Sequence, residues 1–171
     1  PCKILESLVK NEIIEHIQLH NLLNNTQHGF LHGKSCTTNL LEFFEKVISN
    51  SDEGIPTDVI YLDFSKAFDK VPINKLLNKV RSLNIDEKLV AWISAWLKNR
   101  KQRVVISGES SDWTDVDSGV PQGSVLGPIL FIIFINDIDD AADIIELLNK
   151  FADDTKAGQT IRSPEDNIKL Q

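Results

Sequence analysis

Asp58-Val59-Ile60-Tyr61-Leu62-Asp63-Phe64 is the stretch on which the fold turns. Its β-branched and aromatic residues favour a pleated strand, and the run is apolar enough to predict a buried one. Alternation sets Val59, Tyr61 and Asp63 on one face and Ile60, Leu62 and Phe64 on the other. An unpaired ionised carboxylate costs more to bury than the rest of the side chain returns. Asp63 therefore belongs at the strand's end, where it is a cap, a turn residue or a ligand.

Helical periodicity flanks this strand on both sides. Leu5, Val9, Ile13 and Ile17 recur every four positions within residues 3–23. Leu40, Leu41, Phe44, Val47 and Ile48 form the apolar stripe of a second helix, ended by Gly54 and Pro56. Leu76, Leu77, Val80 and Leu83 predict a third helix. Leu89, Val90, Ile93, Trp96 and Leu97 predict a fourth, with Asp86 as its N-cap and Trp92 and Trp96 at core spacing. Residues 103–106 and 113–116, separated by Gly108 and serines, read as a hairpin. Residues 126–138 read as a very apolar helix starting near Pro128. Residues 147–152 and 155–160 read as two strands joined at Asp153-Asp154. Ser163-Pro164-Glu165-Asp166 has the residues of a helix start, although a helix opened there has too few residues after it to nucleate alone. The mixture predicts an α+β fold, an antiparallel sheet with helices packed on one face.

Composition narrows the class. Of 171 residues, 42% are hydrophobic and 25% charged, the balance of a globular protein. A net charge of −7 argues against a protein that coats DNA through phosphate contacts alone. Two cysteines, Cys2 and Cys36, are too few for a disulfide framework and suit a reducing intracellular setting. The longest apolar run, residues 125–135, falls short of the roughly 20 residues that cross a bilayer. With no methionine and Pro1 at its start, the sequence reads as a processed product or a fragment.

A second acidic feature is Phe151-Ala152-Asp153-Asp154, two adjacent acids at a predicted hairpin tip. A cation relieves their repulsion most directly, and hard oxygen donors suit magnesium. Taken singly, each acidic feature is equally an ordinary turn or cap. His16, His20, His28 and His32 have four-residue spacing within each pair, but no Cys or acid cluster completes a zinc site. They read as surface or capping histidines.

Three longer stretches carry a resemblance. Tyr61-Leu62-Asp63-Phe64-Ser65-Lys66-Ala67-Phe68-Asp69-Lys70-Val71 resembles motif A of reverse transcriptases. Ser118-Gly119-Val120-Pro121-Gln122-Gly123-Ser124-Val125-Leu126-Gly127-Pro128 resembles motif B, and Phe151-Ala152-Asp153-Asp154 resembles motif C. Upstream, Gln27-His28-Gly29-Phe30 through Gly33-Lys34-Ser35 is similar to the family's fingers motif, with Leu31 where a basic residue often stands. Trp92-Ile93-Ser94-Ala95-Trp96-Leu97, followed by Arg100-Lys101-Gln102-Arg103-Val104, is similar to non-LTR retrotransposons of the jockey and chicken-repeat type. The likeness covers nearly the whole chain.

The resemblance implies a right-hand polymerase fold, incomplete, with residues 1–56 as inner fingers and 57–171 as a palm cut before its late motifs and thumb. It implies an RNA-directed DNA polymerase acting on an RNA template, a DNA primer and deoxynucleoside triphosphates. Asp63 and Asp153, supported by Asp154, would hold two magnesium ions, with manganese as a stand-in. Phe68 would lie beneath the sugar and exclude a 2′-hydroxyl; otherwise it is a core aromatic. Gln122 and Gly123 would contact the nucleotide or template base, or simply make a turn. Ser65 and Lys66 would lie beside the triphosphate, Lys66 being equally a solvated charge, and Lys34 would be a further triphosphate cation. Lys98, Arg100, Lys101 and Arg103 form a basic patch suited to template–primer phosphates or to a solvated link. An intracellular location, in nucleus and cytoplasm, is implied by the family alone. The isolated chain is expected not to polymerise processively.

Two other classes compete. A degenerate or domesticated remnant would keep the fold and act only as a nucleic-acid-binding or interaction module, yet no acid of the three motifs has been replaced. An RNA-dependent RNA polymerase would share the palm and metals, but Ala152 before the acid pair and the bulky Phe68 fit a reverse transcriptase better.

Overall fold

The computed structural model describes residues 2–141 and 145–168. In chain order the elements are α1 (Cys2–Leu19), α2 (Cys36–Asp52), β1 (Thr57–Leu62), α3 (Ile73–Ser82), α4 (Glu87–Leu97), β2 (Arg100–Gln102), β3 (Val105–Ile106), β4 (Glu109–Ser110), β5 (Thr114–Val116), α5 (Gly127–Phe134), α6 (Ile138–Ala141), β6 (Leu147–Phe151) and β7 (Asp154–Thr160), then a short 3₁₀ helix (Pro164–Ile168). They form two compact units interleaved in sequence, residues 1–22 with 66–134 and residues 23–65 with 135–171. The compact units thus part at places other than residue 56. Among the described residues, no helix is long and apolar enough to cross a membrane.

The first unit is built on helices. α3 packs against α4 and α5, burying Leu76, Leu77 and Val80 from one side and Ile129, Leu130 and Ile133 from the other. α1 buries Val9, Ile13 and Ile17 as the periodicity predicts, but Leu5 is exposed and Glu6 is buried in its place. The reason is a helix N-terminus. Glu6 Oε2 accepts the Val125 N–H at 2.7 Å and the Leu126 N–H at 3.4 Å, just ahead of α5, where unpaired backbone donors favour a carboxylate. Asp86 caps α4 as expected, accepting the Lys88 N–H at 2.8 Å. His16 Nε2 reaches the Leu83 carbonyl at the end of α3 at 2.7 Å, a capping role. Trp92 and Trp96 stack at 6.2 Å between ring centres and are half-buried.

The expected single hairpin is two short ladders. β2 pairs with β5, and β3 pairs with β4 across Ser107 and Gly108. Both turn residues have positive φ, 52° and 90°, as a two-residue hairpin turn of this hand requires. The residues predicted to start the hairpin, 103 and 104, lie between the ladders. The apolar helix ends at Phe134 rather than at residue 138, and the chain then turns into α6.

The second unit is a three-stranded antiparallel sheet in the order β1-β7-β6, with α2 packed on β6 and β1. Ser35 caps α2 in a reciprocal box with Thr38. The predicted apolar stripe is not its buried face. Leu40, Leu41, Phe44 and Ile48 are exposed, whereas Asn39, Phe43 and Asn50 are buried. The two asparagines explain the choice. Asn39 donates to the Lys150 carbonyl (3.2 Å) and accepts from Lys156 Nζ (2.7 Å), while Asn50 Nδ2 reaches Thr57 and Thr160 at 2.9 and 3.0 Å. These contacts tie the helix to sheet groups that would otherwise be buried without partners. β1 forms as predicted, but as an edge strand with Ile60, Tyr61 and Leu62 exposed rather than buried. The last predicted helix is present as the 3₁₀ turn, where Asp166 Oδ2 accepts the Ser163 N–H at 2.9 Å.

Candidate active site

Two-residue connections set strand register tightly. Phe151 pairs with Asp154, so the turn between β6 and β7 is Ala152-Asp153, one residue earlier than the sequence suggested. Asp153 thus sits in the turn and Asp154 opens the central strand. β1 and β7 pair up to Leu62 opposite Thr155, and Asp63 follows the last paired residue of β1. Tyr61 and Lys156, directly opposed, share one sheet face.

That face opens into a cleft of about 340 Å³ lined by residues that include Cys36, Asn39, Tyr61, Asp63, Asp154 and Lys156. Lys156 Nζ lies 5.1 Å from the Phe43 ring centre. Burial holds its pKa below the ordinary lysine value, while the Asp154 charge pulls the other way. None of the Asp63, Asp153 and Asp154 carboxylates makes a hydrogen bond or ion pair with the described residues.

Of the three expected acids, Asp63 and Asp154 line this cleft. Asp153 is not among the cleft's lining residues, and no three His, Cys, Asp or Glu side chains among the described residues stand close enough to hold a metal ion. Magnesium makes the smaller demand of one or two carboxylates plus waters and substrate phosphates, which two uncommitted carboxylates on an open cleft satisfy.

The fingers-motif segment borders the same hairpin. Gln27 bridges to Lys150, and the His28 N–H donates to the Lys150 carbonyl at 2.8 Å. His28 is buried, not a surface residue. Its Nδ1 meets Thr38 Oγ1 at 2.9 Å, and its Nε2 comes within 2.9 Å of Glu42 without hydrogen-bond geometry. Burial first and Lys34 second lower its pKa, with Glu42 opposing them. Lys34 Nζ donates to the Asn25 carbonyl at 3.0 Å beside the start of α2, and Ser65 is exposed beyond β1.

The remaining predicted residues lie in the first unit. Lys66 and Gln122 line one groove of about 820 Å³ together with Asp69, Arg100 and Ser118. Its walls hold one another. Gln122 Nε2 donates to Asp69 Oδ1 at 2.8 Å, and Ser118 Oγ donates to the Asp69 carbonyl at 2.8 Å. Arg100 Nη2 donates to the carbonyls of Ser118 (3.1 Å) and Gly119 (2.6 Å), and its Nε to that of Leu97 (2.7 Å). Half-buried there, its guanidinium is pulled below its ordinary pKa by desolvation, and it braces the loop instead of standing free for phosphates. Lys101 pairs with Asp115 at 3.5 Å, and Arg103 lies 4.7 Å from the Trp113 ring centre. Gly119 has φ +83°, and a Cβ there would fall 2.8 Å from Asp69 Cα, so glycine lets the two motifs touch. Gly123 also has positive φ (74°) but faces open space. Phe68 is half-buried, its ring stacked 4.2 Å from that of Phe131.

Sequence reasoning passed over Asp69, Gly119 and Gln27 as individual residues, and read Arg100 only as part of a basic patch. All four stand inside stretches already quoted for their motifs; what they touch was not readable.

With this geometry in hand, likeness to known proteins can be stated. The sequence pattern of the reverse transcriptase (RNA-dependent DNA polymerase) family matches residues 1–164. The chain belongs to the reverse transcriptase family. It is 27% identical over 136 residues to a probable RNA-directed DNA polymerase from transposon BS of Drosophila melanogaster, covering 80% of this chain and 15% of that protein. It is 29% identical over 162 residues to the RNA-directed DNA polymerase from mobile element jockey of the same species, covering 90% and 17%. A structure of apo telomerase from Candida tropicalis, truncated from the C-terminal domain, matches 99% of this chain and 35% of its own with a TM-score of 0.63 at 15% identity, a likeness of fold. This reverse transcriptase chain thus has the α+β fold and the non-LTR retrotransposon kinship that its motifs imply, and its family is one of nucleotidyltransferases. It spans about a sixth of the length of those curated relatives.

Proposed function

We propose that this chain is the catalytic centre of an RNA-directed DNA polymerase of a non-LTR retrotransposon, extending a DNA primer on an RNA template with deoxynucleoside triphosphates. The observation that carries the reading is a cleft lined by both Asp63 and Asp154, with neither carboxylate bonded to a partner among the described residues. On this reading residues 1–56 are inner fingers and 57–171 palm. Asp63 and Asp153, supported by Asp154, would hold magnesium, with manganese as a stand-in. When bound, the metal favours ionisation of the primer 3′-hydroxyl and neutralises charge developing on the departing pyrophosphate. The chain's own part is to hold its carboxylates in position. Ser65, Lys66 and Lys34 lie along the triphosphate. Gln122 and Gly123 meet the nucleotide or template base. Phe68, steadied by Phe131, closes the space a 2′-hydroxyl would need.

The metal reading is tested by thermal melts of the chain with and without Mg2+. Stabilisation by the ion that disappears in Asp63→Asn and Asp154→Asn is the expected result; equal stabilisation in both variants overturns it. Sugar choice belongs to the parent polymerase, where Phe68→Val should raise ribonucleotide incorporation in primer extension, and unchanged selectivity removes the role from Phe68. We also infer that this chain by itself does not extend primers processively.

A further inference from the structure

Ala152 and its neighbours pose a problem that the acids do not solve. Ala152 has φ +56°, a conformation that side chains with a Cβ disfavour, and it is buried, so water does not serve its peptide groups. The side chain of Gln27 serves them instead. Its Oε1 accepts the Ala152 N–H at 2.9 Å and its Nε2 donates to the Ala152 carbonyl at 3.3 Å. The same Oε1 takes the Gly29 N–H at 2.7 Å, filling both lone pairs. Gln27 is itself 2% exposed. The backbone brings it there, since Thr26 and His28 bond the main chain of Lys150 at 2.8 Å each. Gly29 permits the approach, because a Cβ at that position would lie 2.4 Å from the Ala152 nitrogen.

One carboxamide therefore fixes the peptide planes on both sides of Ala152, the second of which is the Ala152–Asp153 bond. We propose that Gln27 is a positioning residue for the acid pair: it holds the left-handed turn that presents Asp153 and starts β7 at Asp154. The part of this that concerns metal binding rests on the function proposed above. The part that concerns the turn does not. It gives the Gln27-His28-Gly29 segment a task separate from contact with substrate.

The test uses Gln27→Ala and the double variant Gln27→Ala with Ala152→Gly, since glycine accepts positive φ without strain. Exchange of the amide at position 152, followed by NMR and referred to the same position with Gln27 intact, should quicken by roughly tenfold in both, the loss expected for one or two buried hydrogen bonds. The Mg2+ concentration at the midpoint of binding, followed by calorimetry, should rise several-fold in both. The melting temperature should fall in the single variant and recover in the double. A purely structural role gives a different pattern, with Mg2+ affinity recovering together with the melting temperature, and that result overturns the positioning role. Unchanged Ala152 exchange also overturns it. If the wild-type chain binds no Mg2+, the metal reading fails, and Ala152 exchange still decides whether Gln27 holds the turn. Should Gln27→Ala not fold, Gln27→Glu keeps the acceptor and drops the donor, and intermediate exchange is expected; wild-type exchange overturns the proposal.

Discussion

The two compact units treat their polar site residues in opposite ways. In the sheet unit, Asp63, Asp153 and Asp154 have no hydrogen-bond or ion-pair partner among the described residues, and the Asp154 charge acts on a partly buried Lys156. In the helical unit, Asp69, Ser118, Gln122 and Arg100 are joined to one another or to backbone carbonyls. A carboxylate left in water keeps its lone pairs for a cation. A loop braced by four hydrogen bonds keeps its shape without a ligand. The contrast separates carboxylates that make no bond to the described residues from groups spent on holding a loop in shape.

The comparison breaks most readily at the free acids. Asp154→Asn in the parent polymerase should cut primer extension by at least about 10²-fold, the scale of losing one preorganised charge-stabilising group. Its folding stability should change by less than about 0.5 kcal/mol, because the side chain is exposed and unpartnered. A large loss of stability in a denaturant melt would place Asp154 with the bracing residues instead. On the braced side, Gly119→Ala should cost about 2–4 kcal/mol through positive φ and overlap with Asp69. Arg100→Ala should cost about 1–2 kcal/mol by leaving the Ser118 and Gly119 carbonyls short of donors, and a smaller loss in the same melts would mean that water replaces it.

The smallest expected effect is on acid stability. Burial keeps the folded-state pKa of His28 below its ordinary 6.5, so below that pH the unfolded chain binds more protons than the folded one. The stability associated with neutral His28 is fully present above about pH 6.5 and is lost as pH falls toward the folded value. Melts across this range should show a steeper loss in the wild type than in His28→Gln. Equal slopes would show that Glu42 compensates His28 fully.

Much of this was legible without coordinates. Strand and helix periods located most elements, and three quoted stretches carried the family resemblance. The failures have one physical source. A period of 3.6 says that a helix has two faces but not which face a sheet will take, so α2 turned Asn39 and Asn50 inward and left Leu40, Leu41 and Phe44 outside. Glu6 was hidden in the same way, because the donors it satisfies stand more than a hundred residues away. Likewise, β1 reads as buried by composition but forms an edge.

Chemistry and order along the chain were set by sequence, since an aspartate remains a hard oxygen donor and a glycine tolerates positive φ wherever it is placed. Which acids line one cleft, which arginine is spent on a loop, and which glutamine reaches Ala152 were settled only when the chain closed. Those outcomes depend on ångström-scale distances between residues remote in sequence, and local propensity carries no information about them.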